Sequence, residues 1–153
     1  MPDIGRHHPS PGVHGDPDQP TVVFLTVHTS GRSRWLANDE VHRCLTEAWK
    51  EAGAWAVGHY VLMPDHLHLF CAPVLPGYSI EQWITFWKRS FRRLHGPDSG
   101  TFQSRGWHHR LRSGESYAQK WDYVRLNPVR AGLSASADSW PWQGMIHALR
   151  WVE

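Results

Sequence analysis

A chain of 153 residues is long enough for one domain with its own hydrophobic core and too short to require a second. With 16 Lys+Arg against 14 Asp+Glu the net charge is only +2, so the chain as a whole is no polycation, although 12 histidines let its positive charge grow as pH falls. No stretch reaches the roughly 20 apolar residues of a membrane-spanning helix, and Cys44 and Cys71, too far apart for a C-x-x-C zinc pair, read as reduced thiols of a cytoplasmic protein.

Residues 1–20, MPDIGRHHPSPGVHGDPDQP, are dense in Pro, Gly, His and Asp and lack the basic start and apolar stretch of a signal peptide. They read as a disordered tail ahead of a single domain over 21–153, and His7, His8 and His14 within it imply no function beyond a loose metal affinity. TVVFLTVHT, 21–29, is β-branched and apolar and is expected to be a buried strand. From Asp39 to about Glu51, Val41, Leu45, Ala48 and Trp49 recur at helical spacing behind Asn38 as N-cap. AVGHYVLM and HLHLFCAP, separated by Pro64 and Asp65, then predict an antiparallel hairpin.

Ser79 with Gln82 three residues on is a capping-box pattern, and Gly96-Pro97 closes the helix it starts. Ile80, Trp83, Ile84, Trp87, Phe91 and Leu94 form its core stripe, leaving Lys88, Arg89, Arg92 and Arg93 on the other faces. GWHHRLR reads as a further strand, and a helix from about Glu115 must end or kink near Pro128. The order β-α-β-β-α-β followed by a helix predicts an α+β fold, a ferredoxin-like sandwich whose antiparallel sheet carries helices on one face and leaves the other free.

Two constellations carry chemistry. Strand alternation sends His66, His68 and Phe70 to one face and Leu67, Leu69 and Cys71 to the other. Two imidazoles at i and i+2 can share one divalent cation, and equally can be two half-exposed strand residues. Further on, Tyr117, Trp121 and Val124 form one helical face, while Lys120, Tyr123 and Asn127 fall at i, i+3 and i+7 on another. A neutral phenol is a poor nucleophile and needs a nearby cation, Lys120 or a metal, to act as one; taken alone, Tyr123 is equally an amphipathic surface residue. His28 and His59 read as structural strand residues.

Several stretches, in order, go beyond these two: VLMPDHLHLF, a basic helix, Phe102-Gln103, LRSGESY, and YVRLNPVRAGL with WPW close behind. Over roughly Thr21 to Trp142 the set resembles the HUH-type tyrosine transposases, specifically the REP-associated tyrosine transposase family, HUH standing for His, a hydrophobic residue, His. The resemblance implies that His66, His68 and Asn127 are ligands of a Mg²⁺ or Mn²⁺ ion and that Tyr123 is the nucleophile. It implies an enzyme that nicks and rejoins single-stranded DNA at hairpin-forming repeats through a 5′-phosphotyrosine link, hence DNA transposition. Within that pattern Asp65 stands where asparagine is common and is assigned a turn role, Phe102 replaces the usual tryptophan, and His108 stands where an acidic residue often precedes His109.

The segment from Lys88 to Arg112 holds seven Lys/Arg and a single acid, Asp98, enough to neutralise a run of phosphates. Candidate DNA contacts are Lys88, Arg89, Arg92, Arg93, Arg105, Arg110, Arg112 and Lys120, with Trp107 as the residue to stack on a base. The expected partner is single-stranded or hairpin DNA, met in the cytoplasm at the nucleoid by a monomer or homodimer and without a membrane. Two other classes compete: a nucleic-acid-binding module that uses the same sheet face without cutting, and a metal-dependent hydrolase that forms no covalent adduct.

Overall fold

The β-branched run after Pro20 becomes an interior strand of a sheet because both of its edges find partners. The computed structural model describes residues 21–151; the tail expected over 1–20 lies outside them. The strands are β1 (Val23–His28), β2 (Trp55–Leu62), β3 (His66–Pro73), β4 (Trp107–Arg110) and β5 (Gln143–Met145), and the helices are α1 (Asp39–Glu51), α2 (Ile80–His95), α3 (Tyr117–Val124) and α4 (Asn127–Arg130). The sheet runs β4-β1-β3-β2-β5, and its strand pairs are antiparallel. Up to β4 the elements follow the β-α-β-β-α-β order read from the sequence.

The caps act where the sequence placed them. Asn38 Oδ1 accepts from the Val41 amide at 2.9 Å and starts α1. Ser79 and Gln82 form a complete capping box at the start of α2, and Gly96, at φ 110°, ends it in a conformation that only glycine adopts without strain. Both helices lay their apolar stripes on the face carrying Val23, Leu25, Val27, Leu67, Leu69 and Cys71, where Trp49, Trp83, Trp87 and Phe91 fill the space.

The opposite face departs from expectation. It is not free, because Val22, Val61 and Phe70 are apolar there and are covered by Leu111, by Tyr117 and Val124 of α3, and by Trp140. The docking of α3 exploits an irregularity in β2, whose register with β3 shifts between Val57 and Tyr60. There the Tyr117 hydroxyl accepts from the His59 amide at 3.1 Å, and the His59 ring stacks on Trp121 at 4.6 Å. Gly58 makes the approach possible: a Cβ on it would lie 2.5 Å from Tyr117 Oη. His59 is therefore structural, as read.

The C-terminal third holds one expected break and one unexpected strand. The helix expected from Glu115 starts at Tyr117, with Ser116 as its cap, and stops at Val124; a separate turn, α4, begins at Asn127. Pro128 is the reason, since a proline lacks the N–H that would bond the Val124 carbonyl and its ring would crowd that carbonyl. Edge strand β5 has no counterpart in the sequence reading; it pairs with β2 while the Trp140 indole donates to the Leu62 carbonyl at 2.8 Å and Trp142 to Asp39 Oδ1 at 2.9 Å.

Candidate active site

Cross-strand register builds the site. On β1, Thr26 lies opposite His68 and His28 opposite His66, so Phe24, Thr26, His28, His66 and His68 share the face away from α1 and α2. The His66 and His68 rings meet nearly edge-on, with centroids 4.9 Å apart, and His28 stands 5.3 Å from His66. Phe24 stacks on His68 at 5.3 Å.

Each of the two histidines is held by its Nδ1. His66 Nδ1 is 2.7 Å from Asp65 Oδ1, whose other oxygen takes Arg32 Nε at 2.9 Å. Partial burial raises the Asp65 carboxyl, but the hydrogen bonds and charges of His66 and Arg32 outweigh it and leave the group below the usual carboxylate range. An ionised carboxylate only accepts, so His66 donates to it from Nδ1, which leaves Nε2 as the ring nitrogen not engaged by Asp65. His68 Nδ1 bonds the Thr26 hydroxyl at 2.7 Å. Burial, with the charges of His66, His28 and Arg130 behind it, pushes the His68 imidazole down to about 3, so it is neutral near pH 7.

Tyr123 and His68, though not His66, line one cavity of a single chain. A cavity of about 1020 Å³ is lined by His68, Tyr123 and Asn127 together with Phe24, Trp107 and Lys120. Tyr123 is 67 % exposed. The Arg130 guanidinium lies over its ring at 4.0 Å and donates through Nη2 to Asn127 Oδ1 at 2.9 Å.

The resemblance implies a divalent cation at this face. Among the described residues no group of three or more His, Cys, Asp or Glu is placed to hold a metal ion. A cation here would therefore rest on two imidazoles, an amide oxygen and oxygens from outside the protein. That set fits Mg²⁺ or Mn²⁺, and the Nδ1 anchors on Thr26 and Asp65 are the kind of partners that orient metal-binding histidines.

The candidate DNA contacts separate into two groups. Trp107, Arg112 and Lys120 line the cavity beside Tyr123. There Glu115 organises the wall, bonding Lys120 at 3.0 Å, His109 at 3.2 Å and the Arg112 amide. Burial raises the Glu115 carboxyl, but these three contacts prevail and bring it to about 2. Lys88, Arg89, Arg92 and Arg93 are not brought to the cavity: they sit on α2, on the far side of the sheet. Lys88 donates to the Gln103 carbonyl at 2.8 Å and its amine is pushed down by burial, while Arg93 pairs with Glu51. Arg105 precedes β4 and is exposed, and Arg110 shares its register position with the inward-facing Val23 at the sheet edge. His108, also on the helical side, reaches Glu81 at 3.4 Å.

Sequence reasoning missed Thr26, Arg32, Glu115 and Arg130, read His28 as structural and gave Asp65 only a turn role. Asp65 does more than close a turn, since it ties His66 to Arg32. Thr26 and His28 alternate with Leu25 and Val27 in the first strand, a signal that pointed to this face once the hairpin partner was known.

Comparison with known proteins yields a consistent picture. A REP-associated tyrosine transposase of Escherichia coli (strain K12) is 30% identical over 125 residues, covering 78% of this chain and 73% of its own length. A relative from Haemophilus influenzae is 30% identical over 145 residues, covering 79% of this chain and 77% of its own. A solved structure described as the REP-associated tyrosine transposase bound to a REP hairpin matches with a TM-score of 0.69 at 21% identity, over 90% of this chain and 81% of that one, a likeness of fold. No family model matches the sequence.

Proposed function

The chain belongs to the REP-associated tyrosine transposases, and from that premise we propose that it cleaves and rejoins single-stranded DNA at hairpin-forming repeats, with Tyr123 as nucleophile. The observation that carries this reading is one cavity, within one chain, lined by His68, Tyr123 and Asn127. Neither a pure binding module nor a water-using hydrolase has need of an exposed tyrosine sharing a cavity with His68.

In the proposed reaction the Tyr123 phenol gives up its proton and its oxygen attacks phosphorus. The bond to the 3′-oxygen breaks, that oxygen takes a proton to become a 3′-OH, and the phosphate stays on tyrosine as a 5′-phosphotyrosine. Attack by the 3′-OH of another strand reverses the step, so rejoining consumes neither ATP nor water. A Mg²⁺ or Mn²⁺ ion held by His66, His68 and Asn127 would offset phosphate charge and polarise the scissile group. Thr26 and Asp65 each engage one Nδ1, which would leave the other ring nitrogen of His68 and His66 for that ion, and Arg112 and Lys120 bring positive charge to the wall along which the backbone would run. Trp107, with Phe24 edge-on at 5.8 Å, offers an aromatic surface for a base. Such a protein would work on nucleoid DNA in the cytoplasm.

The test is a covalent trap. Purified protein with Mn²⁺ and single-stranded hairpin oligonucleotides should give an SDS-resistant adduct, and Tyr123→Phe should abolish it while leaving hairpin binding intact. Binding without any adduct across the organism's repeat hairpins would instead establish the binding module, and cleavage without an adduct the hydrolase.

A further inference from the structure

The break between α3 and α4 raises a positioning problem. Tyr123 and Asn127 belong to different helices, with Arg125 and Leu126 between them, so no single helix fixes the phenol against the amide. Both must nevertheless serve one phosphate, and displacements of about an ångström are costly in such sites. One side chain spans the break. Arg130 Nη2 donates to Asn127 Oδ1 at 2.9 Å, and the same guanidinium lies 4.0 Å from the centroid of the Tyr123 ring.

We infer that Arg130 is a positioning residue for strand transfer, a cross-tie that sets Asn127 Oδ1 and the Tyr123 ring relative to each other. An amide oxygen has two lone pairs, so Asn127 can accept from Arg130 with one and offer the other to a divalent cation. The contact then resembles the outer partners that orient metal ligands, whose loss weakens metal affinity about 10–100-fold. The planar guanidinium suits the double task, because it stacks on an aromatic face and donates in its plane at the same time, which an ammonium cannot do. Lys120, the cation that sequence spacing placed beside Tyr123, is engaged by Glu115 instead.

The inference rests on the roles proposed above for Tyr123 and Asn127, and its test separates the two. Arg130→Lys keeps the charge and removes the fork. Binding of Mn²⁺ alone, read from loss of the free-ion EPR signal, should weaken about tenfold in Arg130→Lys, and the same change made in an Asn127→Ala background should add no further loss. At saturating Mn²⁺ the adduct should form about tenfold more slowly with the hairpin dissociation constant unchanged, as expected for lost alignment rather than lost binding. Unaltered Mn²⁺ affinity and adduct rate in Arg130→Lys overturn the inference, as does an equal loss of Mn²⁺ affinity in both backgrounds. A parent that binds Mn²⁺ yet never forms an adduct defeats the proposed function, while the Mn²⁺ cycle still decides what Arg130 does.

Discussion

On the helical side of the sheet Leu25, Leu67 and Leu69 are fully buried beneath Trp87 of α2, whereas the neighbouring strand residues Phe24, His28, His66 and His68 line the other side and remain partly reachable. The first side is closed by two long capped helices and the second by the short α3 and the C-terminal segment. The pleat thus divides labour at single-residue intervals: one set of side chains holds the strands, and the alternate set is free to carry polar groups whose geometry those strands fix. A site laid on such a floor inherits the rigidity of a core it does not share.

Breaking the helical side should cost the most. Trp87 is 0 % exposed and packs edge-on against Trp49 and Trp83. Trp87→Ala should lower unfolding stability by about 3–5 kcal/mol, a large part of a typical domain's total. In urea denaturation the midpoint should drop steeply, while any folded fraction keeps its Mn²⁺ affinity; a midpoint near the parent's would show that α2 is not what holds the sheet.

The second side is thinner, and a change confined to it should cost less. In Gly58→Ala the new methyl would meet Tyr117 Oη and the Leu149 side chain at 2.5 and 2.7 Å, so α3 must shift. Overpacking of this kind costs about 1–3 kcal/mol. Adduct formation through Tyr123 should fall with it, while Mn²⁺ binding at His66 and His68 suffers less. Equal loss of both functions would mean that the two halves of the site are not mechanically separate.

This contrast also explains what the sequence could reveal. Local signals sufficed where structure is local: Asn38, Ser79 with Gln82, and the alternation in HLHLF mark α1, α2 and the histidine face as observed. They failed where a partner arrives from far along the chain. The three residues of β5 have no period of their own and become a strand by bonding to β2. The basic run suggested one binding surface, yet it crosses from α2 on one side of the sheet to Trp107 and Arg112 on the other. Tyr123 and Asn127 are legible as a pair, and so is a break near Pro128, but the bridge through Arg130 exists only once α4 has turned.

Asp65 sharpens the division between floor and site, because it acts on orientation alone. Removing its carboxylate in Asp65→Ala should weaken Mn²⁺ binding about 10–100-fold, equivalent to about 1.4–2.7 kcal/mol. Asp65→Asn should retain most of the affinity, since an amide oxygen can still accept from His66 Nδ1. Titrations of the two variants with Mn²⁺ distinguish an orienting hydrogen bond from a simple charge effect, which would make both equally weak.

The smallest effect should come from Glu115 at the cavity wall, and it should fade in acid. Its folded carboxyl is held at about 2, below the usual value of 4.5, so the unfolded chain takes up a proton that the folded chain refuses. The stabilisation this provides is complete above about pH 4.5 and is lost as pH falls toward 2. Glu115→Gln lacks the titrating group, so its melting temperature should lie below the parent's near neutrality and converge with it between pH 4.5 and 2. Other depressed carboxyls such as Asp65 and Glu51 are common to both proteins and cancel in the difference. A parent-minus-variant difference that stays constant with pH would mean that Lys120, His109 and the Arg112 amide do not hold this carboxylate, and that the cavity wall is set by packing instead.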